Sequence, residues 1–220
     1  MFNFVPAFQT YYVMSEFNDK QHEILLVAER LFSEHGFDGT SVRDIAKAAN
    51  INVAMISYYF GSKEKLLEAL IIARIAGLRL QIENLHKEAL SPFEKIDKLI
   101  ELYITRINKN KGMYQIIHFE ISSKKREINC ESFNEVKRYN LEALRDIIEE
   151  GQEKGVFKPN INITLIPPTV MGTFFHFQMN RTFYTELLEL DTEEKYDHYI
   201  KNDLTKHIQK TIKALLTYEE

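Results

Sequence analysis

Apolar residues recur three and four positions apart along almost the whole chain, the spacing of helices buried on one side. Between residues 20 and 35, Ile24, Leu25, Ala28, Leu31 and Phe32 share a face, and Gly36 stands where such a helix stops. Thr40 or Ser41 can cap a second helix, with Asp44 completing a capping box to Ser41; Val42, Ile45, Ala46 and Ala49 form its inner face. A third helix is predicted from about Asn52 to Phe60, and Ser62 caps a long fourth that includes Leu66, Leu67, Leu70 and Ile71. Pro92 opens the next, with Ile96, Leu99, Ile100, Tyr103 and Ile107 on its apolar side and Gly112 as its end. A short helix follows over residues 113–124, then a long one from Glu131 that closes at Gly151 or Gly155. Pro167 and Pro168 stand near the start of another, and the last runs from about Lys195 to Leu216. No strand alternation, internal repeat or low-complexity tract interrupts this, so the expectation is an all-α protein of about nine helices.

The stretch "TSVRDIAKAANINVAMISYYFGSKEKLL", residues 40–67, holds the most specific pattern. Two short helices separated by a brief turn fit a helix-turn-helix, in which the second helix enters the DNA major groove. Ala46 is small enough for the helices to cross, and Asn50 tolerates the positive φ that the turn needs. Ile45, Ile51, Ile56 and Phe60 are placed to hold the angle. That leaves Asn52, Val53, Ala54, Met55, Ser57, Tyr58 and Tyr59 facing outward on the second helix. A tyrosine there makes sense as a rigid, far-reaching hydroxyl for a phosphate oxygen. The competing assignment for both tyrosines is packing against the fourth helix.

Composition narrows the class. Of the 220 residues, 45% are hydrophobic, enough to build a substantial core, while Gly and Pro number only 8 and 5, which disfavours a turn-rich β fold. The single cysteine, Cys130, cannot form an intrachain disulfide and fits a reducing, cytoplasmic setting. The net charge of −4 excludes a generally polycationic nucleic-acid binder. Locally, Arg43, Lys47, Lys63 and Lys65 against Asp44 and Glu64 give four minus two, a mild +2, so tight DNA binding would need amides, hydroxyls and dimerisation as well. Residues 1–13 are uncharged and carry Pro6, unlike a secretory leader, and read as an over-called start ahead of Met14 or as a disordered arm. No apolar run is long enough to span a bilayer, so no membrane partner is expected.

Residues 21–67 resemble the TetR/AcrR family of bacterial transcriptional regulators, through "AERLFSEHGFDGTSVRDIAKAA", "ISYYF" and "GSKEKLL", about a fifth of the chain. The resemblance implies double-stranded operator DNA as a partner, touched by Thr40, Ser41, Arg43, Asn52, Val53, Ala54, Ser57, Tyr58, Tyr59 and Lys63. The family often has Gly, Lys, Gly and Tyr where this chain has Asn50, Val53, Ala54 and Ser57, so no relative's operator can be assumed; Val53 and Ala54 are suited to thymine methyl groups.

The rest of the chain carries no nucleophile elbow, phosphate loop or metal-spaced cluster, so neither an enzyme nor a cofactor is expected. "VMGTFFHFQM" is apolar nearly all round and must bury two faces, one of them against a second copy, with Gly172 allowing close approach. The resemblance implies a homodimer through the last two helices, matching the stripe Leu204, Ile208, Ile212 and Leu215, although such a stripe also serves as ordinary core. It further implies a pocket for a small-molecule inducer, for which Tyr103, Met113, Tyr114, His118, Phe119, Tyr139, Met171, Phe174, Phe175 and Phe177 are candidates. Their mix points to an apolar or aromatic ligand with one or two polar anchors. The expected division is a DNA-binding domain at residues 14–63 and a ligand-binding and dimerisation domain at 64–220. The rival reading is an all-α ligand-binding or adaptor protein without operator affinity.

Overall fold

Local capping chemistry sets where the first helices begin. A computed structural model describes residues 17–123 and 131–217, so residues 1–13 and Cys130 lie outside the described residues. Asn18 caps α1 (Asp19–His35) through a reciprocal box with Gln21. Ser41 caps α2 (Val42–Ala48) in the same way with Asp44, and Asn52 caps α3 (Val53–Phe60). The Ser62 hydroxyl accepts from the Lys65 N–H at the start of α4 (Lys63–Lys87). Then come α5 (Pro92–Lys109), α6 (Lys111–Ser123) and α7 (Glu131–Glu153). A 3₁₀ turn at Ile163–Leu165 leads into α8 (Ile166–Met179), followed by α9 (Arg181–Leu187) and α10 (Glu193–Tyr199). A π-helical turn at Ile200–Leu204 joins α10 to α11 (Thr205–Leu216). Every element among the described residues is helical.

Two packing units emerge. One combines the chain up to Gln81 with Asn110–Lys137; the other combines Ile82–Lys109 with Arg138–Glu220. In the first, Ile24, Ala28 and Phe32 of α1, Ile45 and Ala46 of α2, Ile56 and Phe60 of α3 and Leu66, Leu67 and Leu70 of α4 form one core. Met113 and Ile117 of α6 enter the same core, and α6 packs directly on α1. The Arg74 guanidinium closes on the Glu29 carboxylate, tying α4 to α1. In the second unit α11 packs on α5 and on α8, burying Ile208, Ile212 and Leu216. Phe177 of α8 stacks on Tyr184, Tyr196 and Tyr199 at centroid distances of 4.5, 5.6 and 5.5 Å.

Three sequence expectations change. Gly112 does not end a helix: α5 stops at Lys109, and Gly112 is the second residue of α6. A Cβ there would lie 2.8 Å from the Ser33 side chain, so the glycine serves the close approach of α6 to α1. The segment after Pro168 is not one helix, since it breaks at Asn180 between α8 and α9. The last segment is two α-helices joined by the π turn, where the buried Thr205 hydroxyl donates to the Ile200 carbonyl at 2.7 Å.

Gly151 lies inside α7, and a Cβ on it would sit 2.0 Å from the buried Phe157 ring, which meets Phe93 edge-on at 4.9 Å. Gly151→Ala is therefore expected to lower unfolding free energy by about 1–3 kcal/mol in urea titrations, the usual cost of overpacking. Nearby, the Lys154 and Lys95 ammonium groups lower the Glu150 carboxyl from its ordinary 4.5 to about 2. A depressed carboxylate stabilises the fold above its unfolded value, and that stabilisation disappears as pH falls from about 4.5 through about 2. Glu150→Gln is thus expected to be less stable than the parent at pH 7, with the gap closing at pH 2.

Candidate nucleic-acid interface

The α2–α3 turn is built as a helix-turn-helix requires. Asn50 takes φ +50°, and the Ile51 N–H reaches back to the Ala46 carbonyl at 3.0 Å. Ala46 is buried where the helices meet, with Ile45 and Ala49 beside it. Ile56 and Phe60 turn α3 inward, which leaves Val53, Ala54, Ser57 and Tyr58 exposed along its outer side.

The two tyrosines separate. Tyr58 is 82% exposed, so packing does not account for it. Tyr59 is partly buried against the core and meets Tyr58 edge-on at 5.1 Å, which makes it the support of its neighbour. Asn52 is exposed, and its side-chain oxygen accepts from the Ala54 N–H at 2.9 Å. That bond turns its amide nitrogen, a donor, away from the helix end. Arg43 and Lys47 are exposed on α2.

Other members of the predicted set also make bonds within the fold. Thr40 is buried, its hydroxyl donating to the Leu31 and Gly36 carbonyls at 3.1 and 2.9 Å. The Ser41 hydroxyl donates to Asp44 at 2.6 Å, and with the Ser41 N–H it holds that carboxyl below the usual carboxylate range. The Lys63 ammonium donates to the Phe37 and Thr40 carbonyls. Phe37, on no periodic face of the sequence, lies under that ammonium and was not anticipated. What remains outward is mainly neutral: a phenol, a serine hydroxyl, a carboxamide and two apolar side chains. Such groups bond phosphate oxygens and meet base edges without net charge.

The residues proposed for a ligand divide between the units. In the first, Met113 is buried in the core, Tyr114 is partly buried, and His118 and Phe119 of α6 are exposed. In the second, Phe174 and Phe177 are buried, while Tyr103, Tyr139, Met171 and Phe175 are half-buried. The Tyr139 hydroxyl donates to Glu83 at 2.9 Å, and Phe174 meets Phe175 edge-on at 5.9 Å. Of the proposed dimer stripe, Leu204, Ile208 and Ile212 are buried within the chain, because the π turn packs on α5 and α11 turns its apolar face to α5 and α8. They supply core rather than surface. Gly172 and Leu215 are exposed, and so are Leu165, Met179, Phe183 and Leu187, which the periodicity of α11 gave no means of finding. Among the described residues no His, Cys, Asp and Glu group suits a metal ion, and no helix is long and apolar enough to cross a membrane.

Residues 24–70 match the model for bacterial regulatory proteins of the tetR family, and residues 92–208 match a tetracyclin repressor-like C-terminal domain. The chain is 28% identical over 181 residues to the HTH-type transcriptional repressor NicS of Pseudomonas putida, covering 78% of this chain and 82% of that one. It is 26% identical over 157 residues to the HTH-type transcriptional repressor KstR2 of Mycobacterium tuberculosis, covering 70% and 77%. In fold it is similar to the transcriptional regulator FadR of Bacillus subtilis crystallised with stearoyl-CoA. The TM-score is 0.67 at 20% identity, over 89% of this chain and 98% of that one.

The Asn52 cap allows stability and the expected base contact to be tested separately. Asn52→Ala removes the acceptor and is expected to lower stability by about 1 kcal/mol, whereas Asn52→Asp keeps the cap and the stability. Both variants lose the amide donor, so both should shift base preference in a selection from random duplexes.

Proposed function

The chain belongs to the TetR family of bacterial regulatory proteins, a transcriptional regulator that binds DNA through its helix-turn-helix, and on that premise we propose that it is a repressor. In this reading it binds a pseudo-palindromic operator as a homodimer and is released by a small apolar or aromatic molecule. The observation that carries the reading is Tyr58, an 82% exposed aromatic on the outer side of a helix whose inner side is fully packed. A large ring left in water beside two apolar neighbours, Val53 and Ala54, is best used on a DNA backbone and groove. Arg43, Asn52, Ser57 and Tyr58 are the proposed contacts, with Tyr59 bracing Tyr58. The repressor sense follows the relatives named above.

One recognition helix of eight residues reads too few bases to define a site, so two copies are needed. We place the second copy on the apolar surface of α8 and α9, where Met179, Phe183 and Leu187 are exposed, together with Leu165, Gly172 and Leu215. The proposed domains remain residues 14–63 for DNA and 64–220 for ligand and dimer. Helix α6 supplies a physical link: Met113 and Ile117 pack in the core that holds α3, while Tyr114, His118 and Phe119 on the same helix are among the ligand candidates. A ligand that moves α6 thereby strains the packing of α3. The Bacillus subtilis relative was crystallised with stearoyl-CoA, so the first apolar probe is a long acyl chain, tested both as the free fatty acid and as its CoA thioester.

Selection from random duplexes followed by footprinting tests this. The expected result is a two-fold site with half-site centres about 34 Å apart. An isolated asymmetric half-site would overturn the dimer. Tyr58→Phe should weaken binding by up to about 3 kcal/mol per protomer, equally for all sequences, since phosphate contacts carry no base information. A ligand that binds should lower operator affinity by about 5- to 150-fold, and operator should lower ligand affinity by the same factor. Operator affinity that is unchanged by every bound ligand would overturn the sensor role.

A further inference from the structure

Lys63 opens α4, three positions after the recognition helix ends at Phe60. Its ammonium donates to the Phe37 carbonyl at 2.9 Å and the Thr40 carbonyl at 2.8 Å. It also lies 4.2 Å from the centroid of the Phe37 ring. Both carbonyls belong to the turn between α1 and α2. That turn is pinned from its other side by the Thr40 hydroxyl, bonded to Leu31 and Gly36, and by the Thr40 N–H to the Phe37 carbonyl at 3.3 Å. Phe37 is itself buried and tilted against Phe32 at 5.2 Å, so the ring is a fixed platform.

An ammonium has three N–H donors, and two of them are used here while the face of an aromatic ring covers another side of the charge. Drawing Lys63 out to a phosphate would leave two carbonyls without that donor and loosen the turn. The clamp joins the entry of α2, which carries Ser41 and Arg43, to the junction of α3 and α4, which follows Tyr58. We infer that Lys63 is a positioning residue for operator binding, one that sets the spacing of α2 relative to α3 and makes no phosphate contact. This rests on the operator-binding reading above.

The full chain, Lys63→Met and Lys63→Arg would be titrated against a labelled duplex enriched from a random pool by the unaltered protein, over a salt series. Hydrogen exchange of the amides of residues 38–41 would be followed without DNA. Met keeps the length and removes the donors. Arg keeps the charge but presents a planar fork to a site shaped for a single tetrahedral nitrogen. The inference expects both variants to lose at least five-fold in affinity at every salt concentration, with the salt slope of the parent retained and faster exchange at residues 38–41. A slope shallower by about 1.8 for two protomers in Lys63→Met, with parental affinity restored in Lys63→Arg, would mean a phosphate contact and would overturn it. Unchanged affinity and exchange would overturn it equally. Should Lys63→Met fail to fold, Lys63→Arg decides: parental binding refutes the clamp, and weakened binding with accelerated exchange supports it. An unaltered protein that enriches no duplex counts against operator binding, and the exchange measurement still judges the clamp.

Discussion

Eight residues make barely two turns of helix, and a segment that short does not persist alone in water. Helix α3 exists because Ile56 and Phe60 are held by a core drawn from α1, α2, α4 and α6. Most of the first unit can be understood from this requirement. Ala46 lets α2 cross closely, Asn50 turns the chain sharply enough, and Asn52 supplies the acceptor that the free helix end lacks. A helix oriented entirely from one side leaves its other side free, which is what reading DNA demands.

Charge is used sparingly on that free side. Of the groups near α3, Lys63 is turned inward to backbone carbonyls and Asp44 is held by Ser41. The outward set consists mainly of hydroxyl, carboxamide and apolar groups, with Arg43 and Lys47 on α2. The second unit shows the same economy inside: Lys95 is buried but paired with Glu150 at 2.8 Å, and Lys213 reaches Asp97 at 2.8 Å. A buried ammonium such as Lys95 does not tolerate removal of its partner, so that pair fixes geometry more than it adds stability.

Much of this was legible in the sequence. The cap at Ser41 and the inward set Ile45, Ala46, Ile56 and Phe60 depend on neighbours a few positions away, and the linear pattern records such neighbours. Relations across the fold are not recorded. Gly112 has the composition of a helix stop, but its reason is Ser33 on a helix nearly eighty positions earlier in the chain, which periodicity does not reveal. The apolar stripe Leu204, Ile208 and Ile212 looks the same whether it faces its own chain or a partner; only the placement of α5 and α8 decides. The acceptors of the Lys63 ammonium were out of reach for the same reason, since carbonyl oxygens leave no trace in residue type.

Helix α6 has a consequence for how this protein can be rearranged. The unit that holds the recognition helix is sewn from two stretches of chain, the second of them returning at Asn110 after an excursion of 28 residues, Ile82–Lys109. A gene crossover placed within that excursion would join the first four helices to a foreign α6, and Met113 and Ile117 would be replaced by side chains never selected against the rest of this core. The reader is therefore not a detachable cassette. Exchanging the whole reader means exchanging α6 with it.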